Sequence, residues 1–477
     1  EMRSVSVFSA FLVLAVAVAL PTTQKSLRAG VATVDATPPV GVPLAGYNYP
    51  PRRPKDFPIP HHTKYTTFMT PSVGVMSPIQ VKALVLDDET TRVCLVTIDA
   101  IGISGNITEY AHSLAVAAGF SVALEHVTFS ASHSHSGPGA LSNDLLFELA
   151  PATDLPVKSI IDGFAHKIAE AMVEAEKSLG AATLGVGSST LVGATHNRRH
   201  SPTEWSSKVD TSLGVLSVDG PNGQPLATLW NFAIHGICYD ADNLVMSSDV
   251  MGGVNAAIEK TIGGVGMFVN GAAGDVNPVF SVMCGSCQHN CTCPGCADWP
   301  GAMMVAEKIQ GVRNSTAMAA DVSLTTTSHD DDFGDTSLNL TLSRIANCTQ
   351  GGPLDICTIC ETIDCDANLH LGTKWIEHTP RFTGLRIDVA NVSAILLTMP
   401  GEALTETAWE MRNATQSLGY DLTFLAGYTN NYMGYFAPPD EYDAGDYESL
   451  LTLWGIDTAA RVRDNALTLA RKLAPEQ

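Results

Sequence analysis

Two imidazoles one residue apart stand in the segment SASHSHSGPGA (130–140), where an apolar run over 126–132 ends in His133 and His135 before a Gly/Pro turn. Residues i and i+2 of a strand project to the same side, so both rings can face one site at the strand's carboxyl end. A third histidine, His235, closes the apolar run of LWNFAIHGICYD in the same way. Neutral imidazole is the commonest metal ligand, and ligands on strand ends are stiffly held. Glu402 follows Pro400 and Gly401 in AILLTMPGEALTE. A carboxylate there either caps the helix that opens or serves as a hard metal ligand. Two histidines, a glutamate and an open position describe a catalytic zinc site rather than a closed structural one. Such a site lowers the pKa of water to about 7 and polarises a carbonyl, the chemistry of amide or ester hydrolysis.

The segment FVNGAAGDVNPVF (268–280) adds Asp275 and Asn277 among small residues that let backbone approach a ligand closely. Tyrosines 428, 432, 435, 442 and 447 lie in a Gly/Pro-rich stretch, where several phenols cannot all be core. Asn197 and Arg198 occupy a polar loop in which Arg198 reads as a surface residue. Each signal has a plainer explanation: a polar strand exit, a hydrogen-bonded core histidine, a tight turn or a helix cap. It is their concurrence that favours chemistry.

The elements that must position these groups follow from periodicity. Strands are expected over 80–86, 92–98, 126–132, 212–218, 225–232, 265–270, 385–389, 393–399 and 421–426. The opening 30–47 reads as a strand followed by Pro/Gly turns, and DGPNG between 212–218 and 225–232 signals a hairpin. Ile160, Phe164, Ile168 and Met172 recur every four residues and predict a helix over 156–179. Further helices are expected over 404–417 and 447–473, with Asp249 placed to cap another running to about Lys260. The Pro- and His-rich segment 50–78 reads as a long loop, and Asp330, Asp331 and Asp332 as a solvated loop between edge strands. Strands and helices mix without strict alternation, and no long repeat is visible. The expected fold class is α/β, with layered mixed sheets and flanking helices in one large domain over 25–477.

The chain has 477 residues, 45% hydrophobic and 16% charged, with 27 basic and 49 acidic side chains giving a net charge of −22. A core is available, while a nucleic-acid partner is excluded and a strongly anionic membrane disfavoured. Residues 4–20 form an uncharged apolar run before Pro21, the pattern of a secretory signal over 1–24. Seven N-x-S/T sequons, at Asn106, Asn290, Asn314, Asn339, Asn347, Asn391 and Asn413, agree with N-glycans on a secreted, extracellular protein. Nine of the eleven cysteines cluster in inserts near 284–296 and 348–365, which in that compartment favours disulfides over zinc. Their odd number leaves one free or bridging to another chain. Cys94 and Cys238 sit in apolar runs and read as buried thiols.

In this order, HSHSGPG, NFAIHG, NGAAGDVNP, MPGEALTE and the YxxYxxPxxEYxxxxYE pattern from Tyr432 to Glu448 resemble the neutral/alkaline non-lysosomal ceramidase family. The opening AGVATVDATPPVGVPLAGY is similar to the family's amino-terminal signature, and the resemblance spans about Ala29 to Lys472. It implies a ceramidase-like catalytic domain with zinc held by His133, His235, Glu402 and Tyr435. It also implies that His135, Arg198 and Tyr447 face the scissile amide of an N-acyl substrate such as a ceramide-like lipid. Asn277 stands where the family's GDxSP loop carries a serine assigned as nucleophile. Asparagine forms no acyl intermediate, but it can orient substrate or donate to an oxyanion. Attack by zinc-activated water is therefore the expected route. Only 30 residues follow Tyr447, so the family's carboxyl-terminal immunoglobulin-like domain is expected to be lacking. The alternative reading is a self-assembling extracellular structural glycoprotein on a ceramidase-like fold, with little or no activity. It would form a homo-oligomer through the apolar amino terminus or an unpaired cysteine.

Overall fold

The computed structural model describes residues 26–54, 62–142, 144, 153–200, 202–285, 299–341, 366–371, 373 and 376–475. Three sheets carry the architecture, and the chain builds each by the same path. In the first, the antiparallel pair Gln80–Asp87 and Arg92–Ile98 leads into the helix Gly105–Ala117, then into Val127–Ala131, parallel to Arg92–Ile98. In the second, Ser212–Asp219 and Pro225–Phe232 lead into the helix Asp249–Thr261 and the parallel strand Val265–Asn270. In the third, Arg381–Val389 and Val392–Thr398 lead into the helix Thr405–Ser417 and the parallel strand Leu422–Ala426. An antiparallel strand flanks each hairpin: Arg28–Asp35, Thr183–Thr190 and Val322–Asp330 respectively. A second helix completes each unit, namely Lys158–Lys177, Pro300–Ser315 and Thr458–Lys472.

Burial explains why short apolar runs rather than clean alternation mark these strands. Gln80–Asp87 sends Val81, Ala83 and Val85 toward its own helices, and Leu84 and Leu86 into a core shared by all three sheets. Leu216 and Leu229 of the second sheet and Leu385, Leu396 and Phe424 of the third meet them there. A strand covered on both faces needs apolar residues at odd and even positions alike. Each such aliphatic side chain contributes about 1.5–3 kcal/mol on full burial.

Most expected elements are found within a few residues, among them Arg92–Ile98, Pro225–Phe232 and Val265–Asn270 at the expected bounds. On the helix Lys158–Lys177, Ile160, Phe164, Ile168 and Met172 are all buried. One expected helix divides. The stretch 447–473 forms Tyr447–Leu450 and Thr458–Lys472, because Gly455 between them takes φ +84°, outside the helical range. Cys238 is not a thiol: it is bonded to Cys284, which ties the segment after His235 to the short helix Phe280–Met283. Cys94 is free and buried, as expected. The segment 1–24 and the remaining cysteines of both inserts lie outside the described residues. Among the described residues no helix is long and apolar enough to cross a membrane.

Candidate functional site

Each of the three sheets holds one parallel strand pair, and the carboxyl ends of these pairs deliver the chemistry. Val127–Ala131 ends two residues before His133, and Pro225–Phe232 ends three before His235. Val392–Thr398 exits through Pro400 and Gly401 into Glu402, and Leu422–Ala426 exits toward Tyr428. Crevices at the carboxyl ends of parallel strands are where open α/β sheets bind ligands. Glu402 and Tyr435 are then set side by side by a parallel pairing of Glu402–Ala403 with Tyr435–Phe436.

His133 and His235 are buried, with Nε2 atoms 3.1 Å apart. Each Nδ1 lies 2.7 Å from a backbone carbonyl, that of Ile101 for His133 and that of Ala273 for His235. The proton therefore sits on Nδ1, where it donates, and each Nε2 presents a bare lone pair. Glu402 Oε2 is 3.5 Å from both Nε2 atoms. His135 Nε2 lies 3.2 Å from that of His133, and the three imidazoles together could hold a metal ion. Burial, more than the nearby Arg198 charge, holds the rings neutral: His133 is pushed down to about 3, and His235 falls well below its ordinary value. Burial likewise raises Glu402 to about 7 against the pull of Arg198. Acceptors aimed at acceptors repel one another unless a cation lies between them. This donor set of imidazole nitrogens and a carboxylate fits a metal ion of the zinc type.

Phenols complete the shell. Tyr432 Oη donates to Glu402 Oε1 at 2.6 Å, Tyr428 Oη approaches Oε2 at 3.4 Å, and Tyr435 also bonds this carboxylate. The Tyr428 ring stacks on His133 with centroids 4.2 Å apart. Arg198 is not a surface residue. Its side chain is 18% exposed, Nη2 donates to Tyr435 Oη at 3.0 Å, and Nη1 lies 3.0 Å from His235 Nε2. Burial opposes its charge, but Tyr435, Glu448 and Glu402 outweigh burial and raise its pKa.

Beside these groups opens a cavity of about 370 Å³ lined by Tyr47, His135, Arg198, Asn277, Tyr435 and Tyr447, among others. The eight residues named with the family resemblance thus lie in the cluster or on this wall. Asp275 ties the segments together. Its carboxylate accepts from Thr405 N and Oγ1, both at 2.9 Å, and from Asn197 Nδ2 at 2.8 Å, while its carbonyl accepts from Arg198 N. Burial raises its pKa to about 7. The specific parts played by Tyr432, Arg199 and Glu448 were missed. Two adjacent arginines in an acidic chain, and the acid after Tyr447, were the signals available.

A family model described as neutral/alkaline non-lysosomal ceramidase, N-terminal, matches residues 63–327, more than half of the chain. The chain belongs to this ceramidase family. It is 25% identical over 413 residues to the neutral ceramidase of Pseudomonas aeruginosa, covering 74% of this chain and 60% of that protein. To neutral ceramidase A of Dictyostelium discoideum it is 23% identical over 440 residues, covering 73% and 61%. Neutral ceramidase B of the same organism is 29% identical over 172 residues, 32% of this chain and 24% of its own length. The chain thus spans at most 61% of the length of these curated relatives. The crystal structure of the Pseudomonas aeruginosa neutral ceramidase superposes with a TM-score of 0.74 at 19% identity, over 95% of this chain and 76% of that one. The mixed α/β architecture is therefore the ceramidase fold.

Proposed function

We propose that this chain is a secreted, zinc-dependent hydrolase of N-acyl amide bonds, with a ceramide-like lipid as substrate. One observation carries the reading: buried lone pairs of His133 and His235 and the carboxylate of Glu402 are directed at one point beside a cavity. These three side chains and Tyr435 would hold the ion. Bound there, zinc supplies Lewis acidity that polarises the acyl carbonyl and acidifies water.

The chain's own residues do the rest. The cavity holds the amide beside the buried cluster, where low polarisability strengthens charge interactions. Arg198 and Tyr447 donate to the acyl oxygen as negative charge builds, worth about 3–4 kcal/mol for one well-placed donor. His135 takes a proton from the attacking water and returns it to the leaving amine nitrogen. Asn277 donates from its amide and, lacking a nucleophilic oxygen, leaves attack to water. The relatives named neutral ceramidase support the substrate class.

Secretion is part of the proposal. A buried disulfide such as Cys238–Cys284 forms and persists in oxidising compartments. The sequon residues Asn106, Asn314, Asn391 and Asn413 are all exposed. Asn290, Asn347 and the side chain of Asn339 lie outside what is described. A single large catalytic domain accords with the core shared by the three sheets.

The test is metal analysis of purified protein with assays on fluorescent N-acylsphingosine and on short acyl esters. About one zinc per chain is expected, together with amide cleavage and loss of both in His133→Ala. Metal-free wild-type protein would end the zinc reading, and cleavage of esters alone would end the amide reading.

A further inference from the structure

We propose that Glu448 is a positioning residue for the reaction: it fixes the Arg198 guanidinium so that both of its terminal nitrogens face the site. The inference rests on the role of Arg198 given above and names the device that makes that role possible. Glu448 is 2% exposed and follows Tyr447 on the short helix Tyr447–Leu450, so one turn places a cavity-lining phenol and this carboxylate together. Its Oε1 accepts from Arg198 Nε at 2.9 Å. That bond uses the one guanidinium nitrogen that is not terminal, leaving Nη1 beside His235 Nε2 and Nη2 on Tyr435 Oη.

The other carboxylate oxygen anchors the arrangement from behind. Glu448 Oε2 accepts from Arg199 Nη1 at 2.9 Å, and the Arg199 side chain is fully buried. Arg199 Nη2 donates to the carbonyls of Glu441 and Gly445, both at 2.8 Å, and its Nε pairs with the Glu441 carboxylate. Arg199 does not itself line the cavity, and its charge holds Glu448, which does, against Glu441. A chain of fixed groups thus runs from Glu441 through Arg199 and Glu448 to Arg198. A free arginine side chain samples many rotamers, and a misplacement of about 1 Å at a reacting centre can cost about 10²-fold in rate. The two aromatic rings beside Arg198, those of Tyr435 and Tyr447, lie 5.8 and 5.9 Å from its Cζ and constrain the plane less tightly than a carboxylate bond does.

The test is a double-mutant cycle on Glu448→Gln and Arg198→Ala, with kcat, KM, zinc content and unfolding midpoint measured for each variant. Glu448→Gln should lower kcat by about 10²-fold with KM changed less than about threefold and full zinc content. In the Arg198→Ala background the same change should have no further effect on kcat, because the group it positions is gone. An equal loss in both backgrounds would overturn the proposal, since a merely structural role persists without Arg198. Should Glu448→Gln fold poorly, chemical rescue decides. Added guanidinium ion should restore activity to Arg198→Gly, and Glu448→Asp in that background should abolish the rescue; rescue unaffected by this change counts against the proposal. Full activity of Arg198→Ala on its own would instead refute the underlying role of Arg198, an outcome separable from the first.

Discussion

Tyr432 and Tyr428 both approach Glu402, yet removing their hydroxyls should have unequal consequences. Tyr432 Oη donates at 2.6 Å to Oε1, a short charge-assisted bond, whereas Tyr428 reaches Oε2 only at 3.4 Å. Burial raises the pKa of both phenols well above the ordinary value, so both remain protonated donors at neutral pH. A hydrogen bond to a charged group is worth about 1.5–3 kcal/mol, which converts to about 10- to 100-fold in an equilibrium constant. Losing the group that orients a ligating carboxylate has an effect of the same size on metal affinity, about 10- to 100-fold. Tyr432→Phe should therefore weaken zinc binding by that factor. Tyr428→Phe keeps the ring that stacks on His133 at 4.2 Å and loses only a long bond, so a change under about threefold is expected. Competitive titration against a fluorescent zinc chelator measures both, with circular dichroism reporting that each variant is folded. Equal losses, or a larger loss from Tyr428→Phe, would refute the assignment of Tyr432 as the main support of Glu402.

Three further outcomes are expected. Replacing Cys238 and Cys284 together by serine opens a cross-link of sequence separation 46. By chain entropy this should cost about 4 kcal/mol, read as a lower urea midpoint, and an unchanged midpoint would contradict it. Burial, followed by the charge of Asp144, raises Glu377 from 4.5 to about 7. Its folded form therefore keeps a proton that the unfolded chain releases, and the stability it contributes is present below pH 4.5 and lost as pH rises through about 7. Melting curves between pH 5 and about 8 should show wild type losing ground to Glu377→Gln as pH rises; parallel curves would refute this. Gly46 takes φ +110°, and a Cβ there would stand 2.5 Å from His135 Nδ1, so Gly46→Ala should cut activity by about 10²-fold. Gly119→Ala is the control, for φ is +98° with nothing within 4 Å, and its activity should stay near wild type.

Local chemistry accounts for how much of this molecule could be read in advance. Apolar runs bounded by turn residues located the central strands, because strands buried on both faces leave that trace regardless of their partners. His133, His235 and Glu402 were legible because each sits where an apolar run stops, and polar groups at such ends either meet a ligand or face solvent. The division of 447–473 was not legible, since a helical pattern on both sides of Gly455 conceals a single positive φ. Nor was the pairing of Cys238, whose partner is 46 residues away.

What the sequence determined by itself was an inventory: which side chains can ligate, donate or carry charge, and which segments are strand or helix. The threefold use of one chain path left no sequence repeat. Topology is preserved by which faces are apolar, and many different side chains satisfy that condition. Only the tertiary structure brought the carboxyl ends of three sheets together, turned Arg198 inward and set Arg199 and Glu448 behind it. Those arrangements depend on contacts between residues 250 or more positions apart, such as Arg198 with Glu448 and His133 with Glu402, and the free energy of such contacts appears only when the sheets close on their common core.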